Sequence, residues 1–121
     1  MILDDLIKNI PAILDELDLR MALNAREELP MVCEYSRVYR DLENLKKENS
    51  KLYNEVKDDC ELMVNRAFKV ADYVCGDGDI SACIANDYEL IYLANVFDYN
   101  DYWLDRVISL YEDGIFPLEI I

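Results

Sequence analysis

No histidine occurs among the 121 residues, which removes the commonest general base and metal ligand at neutral pH. The four cysteines, Cys33, Cys60, Cys75 and Cys83, lack the close paired spacing of a zinc site. They read as free, mostly buried thiols of a reducing compartment. The sequence contains no phosphate-cradling glycine loop and no nucleophile elbow. No apolar run reaches the roughly 18 residues that a membrane span requires. The acidic start "MILDDLIKNIPAILDELDLR" has neither the basic region nor the cleavage site of a signal peptide. Glycine and proline are scarce, three of each. Basic residues all but vanish after residue 71: positions 72–121 hold eleven carboxylates against Arg106 alone. These absences argue against an enzyme, a cofactor or metal carrier, and a membrane protein. A cytoplasmic location is expected.

Hydrophobic residues make up 53% of the chain, too many for a disordered acidic tail. One domain over 1–121 with a modest core is expected. The formal net charge of −14 repels nucleic acid and anionic membrane, so no direct binding to either is expected. The natural counterpart is a basic surface.

The periodicity is helical throughout. Leu3, Leu6, Ile7 and Ile10 precede Pro11, which is expected in the first turn of a second helix carrying Ile13, Leu14, Leu17, Met21 and Leu23. Pro30 is expected to end that helix and open the next. Between Met31 and Cys75 neither glycine nor proline occurs. Val38, Leu42, Leu45, Asn49, Leu52 and Val56 alternate spacings of four and three, as a heptad seam does. Cys60, Met63, Ala67, Val70 and Val74 resume it after a stutter. Unbroken, this helix over about 31–75 would span roughly 67 Å, against a radius of gyration of about 14 Å for a compact chain of this size. It must protrude, pair or bend, and "KENSK" around Asn49 and Ser50 is its weak point. The fold class is all-α: a bundle with one long central helix carrying a zipper-like seam, flanked by short helices over 1–30 and 76–121.

"NSKLYNEV", residues 49–56, resembles the polar register mark in the leucine zippers of basic-region transcription factors. The resemblance implies a homodimer paired through Leu42, Leu45, Asn49, Leu52 and Val56, because a seam asparagine is satisfied by a symmetric mate. The alternatives are packing of the same stripe on the chain's own short helices or on a different partner chain. DNA binding is not implied. Arg37, Arg40, Lys46 and Lys47 alternate with Glu34, Asp41 and Glu43, too few cations to track phosphates.

"DGDISACIANDYE" places Asp77, Asp79 and Ser81 like the first ligands of a calcium loop. It has Ala82 where the sharp turn needs glycine and Tyr88 where the bidentate glutamate belongs. Helix capping by its carboxylates is the better reading, with Asn86 or Asp87 capping a helix over Ile84–Phe97. The final helix is expected over Asp101–Asp113, capped by Asn100 and closed by Gly114.

The stretch 86–113 interleaves carboxylates with tyrosines and Trp103. Trp103, Val107 and Leu110 are expected in the core. Asp87, Tyr88, Glu89, Tyr92, Asp98, Tyr99, Asp101, Tyr102, Asp105 and Glu112 are the candidate partner-binding residues, since aromatic side chains anchor interfaces and carboxylates steer basic partners. In type, this character resembles phage-encoded anti-defence proteins, including anti-CRISPR inhibitors and nucleic-acid mimics. The expectation is a small, acidic, non-enzymatic protein, without cofactor or metal, that modulates a nucleic-acid-binding protein by occupying its basic surface. A coiled-coil adaptor and a small transcriptional co-regulator are the alternatives.

Overall fold

The computed structural model describes residues 2–118. It places six helices along them: α1 (Ile2–Leu14), α2 (Leu19–Glu27), α3 (Leu29–Glu48), α4 (Ser50–Cys75), α5 (Gly78–Val96) and α6 (Tyr102–Glu112). The fold is all-α, with no strand among the described residues. Leu3, Leu6, Ile7, Ile10, Ile13 and Leu14 bury one continuous face of α1. Each such side chain contributes roughly 1.5–3 kcal/mol of transfer free energy. Pro11 lies inside α1 and not at the start of a second helix. It is exposed on the face away from the core, so burial of the opposite face holds the helix through it. α2 begins only at Leu19, where the Asp18 side chain accepts from the Met21 amide at 3.0 Å. Pro30 opens α3 as expected.

The long helix expected over 31–75 is two helices. At Asn49 (φ −125°, ψ 45°) the chain leaves helical geometry. The Asn49 amide donates to the Leu45 carbonyl at 3.0 Å, the local competition with the helix ladder that asparagine favours. The direction of the chain changes there. Tyr35 of α3 shares a cleft with Cys83 of α5, and Asp41 accepts from Tyr99 just beyond α5, so these helices run in the same sense. α4 runs against α5, with Tyr92 bonded to Asp59 at one end and Cys75 beside Ser81 at the other. The central element is therefore α5, not the 31–75 segment. It packs most extensively on α4 and also touches α1, α2 and α3. This accounts for its nearly all-round apolar composition.

The bend divides the expected seam. Val38 and Leu42 lie in this chain's own core, while Asn49 and Leu52 are exposed. Leu45 and Val56 are half-buried against the core. Beyond the stutter, Cys60, Met63 and Ala67 are buried, whereas Val70 is half-buried and Val74 exposed, with Ala71 on the core side instead. The five residues assigned to pairing therefore share no single outward face.

Helix ends carry most of the local polar logic. Gly76, in the left-handed region at φ 66°, ends α4. Asp77 accepts from the amides of Asp79 and Ile80, both at 3.0 Å, and so starts α5 well before Asn86 or Asp87. Asp101, not Asn100, caps α6 by accepting from the Leu104 amide at 3.0 Å. Gly114 closes α6 at φ 75°, with the Ile115 amide bonded back to the Leu110 carbonyl at 2.8 Å. Trp103 and Val107 are buried and Leu110 is half-buried. The tail docks through Phe116 and Pro117. Residues 119–121 lie outside the described part.

Candidate functional site

One ion pair sits in the interior. Arg26 of α2 donates to both carboxylate oxygens of Asp87 on α5, at 2.6 and 2.7 Å, with the residues 8% and 1% exposed. The Tyr111 hydroxyl also donates to Asp87, and Arg26 reaches the Pro117 carbonyl at 3.5 Å. The guanidinium lies 5.6 Å from the centre of the Phe116 ring, which meets Tyr111 edge-on. Burial by itself disfavours the Arg26 charge, but Asp87 more than offsets it, leaving the pKa raised. Burial, reinforced by the Asp87 charge, likewise holds the Tyr111 phenol neutral. This knot joins α2, α5, α6 and the tail. It is a structural device, and its carboxylate has no free face for a partner.

A second polar node joins α3 to the α5–α6 turn. Arg37 binds Asp101 at 2.6 and 3.2 Å and Glu34 at 3.1 Å. Burial alone would raise the Asp101 pKa. Hydrogen bonds from Arg37 and the Leu104 amide, with the Arg37 charge, outweigh it and hold the carboxyl below its ordinary 3.8. A depressed carboxyl contributes stability above its unfolded-state pKa and loses it as pH falls through the folded value. Asparagine caps a helix about as well as aspartate, so Asp101→Asn isolates the charge. Its stability, from urea unfolding, is expected to fall less than wild type between about pH 4 and pH 2.

The candidate partner-binding residues separate into two groups. Asp87, Tyr88 and Tyr92 are interior and cannot meet a partner directly, which corrects the expectation for these three. The Tyr88 hydroxyl donates to the Leu6 carbonyl at 2.8 Å, and Tyr92 donates to Asp59 at 2.7 Å. The aromatic content that suggests an interface therefore fills the core. Tyr99, bonded to Asp41 at 2.8 Å, and Asp101 are half-buried and tie α3 to the turn. Asp98, Tyr102, Asp105 and Glu112 are exposed, Tyr102 at 71%, and Glu89 is half-exposed. Tyr102, Asp105 and Glu112 share the outer face of α6, which also presents Arg106. Asp98, Asp105 and Glu112 form no ion pair among the described residues.

The buried pairing of Arg26, the Arg37–Asp101 pair and the cleft position of Tyr35 are features that sequence reasoning passed over. Arg26 falls four residues after Ala22 on the buried face of α2, and a cation at an apolar-face position is the signal that marks it. Tyr35 gives no such signal. It lines an open cleft of about 350 Å³ between α2, α3 and α5, with Leu23, Met31, Val32, Ala82 and Cys83.

The thiols differ in accessibility. Burial, with the Asp87 charge adding to it, pushes Cys83 from 9.0 to about 12. Burial, with Glu89, does the same for Cys60. Such a rise lowers the thiolate fraction about a thousandfold. Exposed Cys33 is expected to react with Ellman's reagent well before either, as peptide mapping of the modified protein can establish.

Six helices around a largely apolar core, crossed by the buried Arg26–Asp87 pair and surrounded by exposed or half-buried carboxylates, define a small acidic helical protein. A family model described as immunity protein PIM1 matches residues 2–118, and the chain belongs to that family. It is thus a small protein of the inhibitory or immunity kind. No curated protein and no solved structure matches the chain. None of the described helices is long and apolar enough to cross a membrane.

Proposed function

We propose that the protein is a non-catalytic immunity factor that captures a partner with a basic, nucleic-acid-binding surface and blocks that surface. The observation that carries this reading is the exposed set Asp98, Asp105 and Glu112, without ion-pair partners among the described residues, in a segment (72–121) with Arg106 as its sole cation. Immunity implies a toxic partner, and the charge implies that the partner's contact surface is cationic. Steric blocking suits the geometry better than imitation of a duplex. Asp105 and Glu112 are about 10 Å apart along α6, whereas phosphates follow one another every 3.4 Å or so along a strand. The reading uses one copy of the chain.

The test is affinity capture from the producing cell's lysate with and without nuclease. A basic protein recovered equally in both arms, and released by added duplex DNA or RNA, is the expected result. Recovery only without nuclease, or a partner indifferent to nucleic acid, would contradict the reading.

A further inference from the structure

We infer that the cleft between α2, α3 and α5 seats an arginine side chain of the protein partner. The inference rests on the proposed capture of a basic protein and says where one of its cations enters. The cleft walls are apolar: Leu23 on α2, Met31 and Val32 on α3, and Ala82 on α5. They suit a long aliphatic stem. Two exposed carboxylates, Glu27 and Asp79, also line the opening. Neither has an ion-pair partner among the described residues. The one cation lining the cleft, Arg26, is matched by Asp87 through two hydrogen bonds. The cleft therefore keeps an uncompensated negative balance, which a cationic tip corrects and an anionic tip aggravates.

Aromatic chemistry favours a guanidinium over an ammonium. Tyr35 lines the cleft and stacks on Tyr39, with ring centres 6.2 Å apart and planes 16° from parallel. Planar guanidinium groups stack on such rings more readily than lysine does. Tyr39, Val32 and Leu29 also expose 43%, 40% and 75% of their surface on the same helix. Of these Val32 lines the cleft and Tyr39 adjoins it through Tyr35, an aromatic and apolar composition that suits an interface anchor.

The probes are blocked Gly-Arg-Gly, Gly-Lys-Gly, Gly-Glu-Gly and Gly-norleucine-Gly peptides, titrated into the full chain and followed by amide NMR. The arginine peptide is expected to give saturable shifts at Ala82, Cys83 and Asn86. It should bind at least about fivefold tighter than the glutamate or norleucine peptide, a modest preference of the size exposed ion pairs supply. Glu27→Gln with Asp79→Asn should remove that preference. Ala82→Leu should remove the saturable response by filling the cleft, with the remaining spectrum unchanged. Equal response to the lysine peptide would overturn the assignment to arginine. Shifts scattered over the acidic surface, or equal binding of the glutamate peptide, would overturn the site itself. Because no toxin is present, a negative result leaves the proposed capture standing. Conversely, a partner found to be neutral would leave the peptide preference intact.

Discussion

Asp87→Ala should destabilise the protein by about 3–5 kcal/mol, the usual consequence of stranding one member of a buried ion pair. The carboxylate accepts both Arg26 bonds and the Tyr111 hydroxyl in a site where its residue is 1% exposed. Removing it leaves an uncompensated guanidinium between α2, α5 and the tail. A domain of this size has roughly 5–15 kcal/mol in total, so the loss is a large fraction of the protein's stability. The pair itself need not be stabilising relative to an apolar interior. Arg26→Met together with Asp87→Leu is therefore expected to recover much of the loss, and Tyr111→Phe alone should cost about 1.5–3 kcal/mol, as for a hydrogen bond to a charged acceptor. Urea unfolding of the four proteins measures this. A loss below about 1 kcal/mol in Asp87→Ala would show that the knot does not organise the fold.

The second large effect concerns partner capture. Asp98→Asn, Asp105→Lys and Glu112→Lys together should slow association with the partner by about ten- to a hundredfold at low salt, with the difference shrinking as salt rises. All three residues are exposed, so the circular dichroism spectrum should hardly move. Asn is chosen at 98 because the backbone there has φ 52°, a region asparagine tolerates better than lysine. Asp101 is left unchanged because it caps α6 and binds Arg37. Reversing its charge would confound binding with folding. Surface plasmon resonance at two ionic strengths times the association. An unchanged rate would make the acidic face a solvated surface with no part in capture.

The helical class, the opening of α3 at Pro30 and the closure of α6 at Gly114 are legible in the residues, because local chemistry decides them. Periodicity finds buried faces but not what covers them. The stripe through Val38 and Leu42 is the same whether it faces a second chain or α5. Only the bend at Asn49 separates the two, and one asparagine can mark either a register or a break. The candidate site is only partly legible for a related reason. Tyrosines beside carboxylates suggest an interface, yet Tyr88 and Tyr92 are interior residues whose hydroxyls reach Leu6 and Asp59. These partners lie 82 and 33 residues away, beyond the range of any local pattern. The Arg26–Asp87 pair, separated by 61 residues, was hidden for the same reason. The exposure of Asp105 and Glu112 is legible because a solvent-facing position follows from helix periodicity, whereas Asp98 lies in the turn beyond α5, where no period applies.

The most direct test of the proposed immunity mechanism is displacement. Labelled duplex DNA or RNA is bound to the captured partner, and fluorescence anisotropy is followed as this protein is added. Occupation of the basic surface predicts complete release of the nucleic acid near stoichiometric addition, with the triple variant requiring much more protein. A stable ternary complex, with the nucleic acid still bound while this protein saturates the partner, would contradict it.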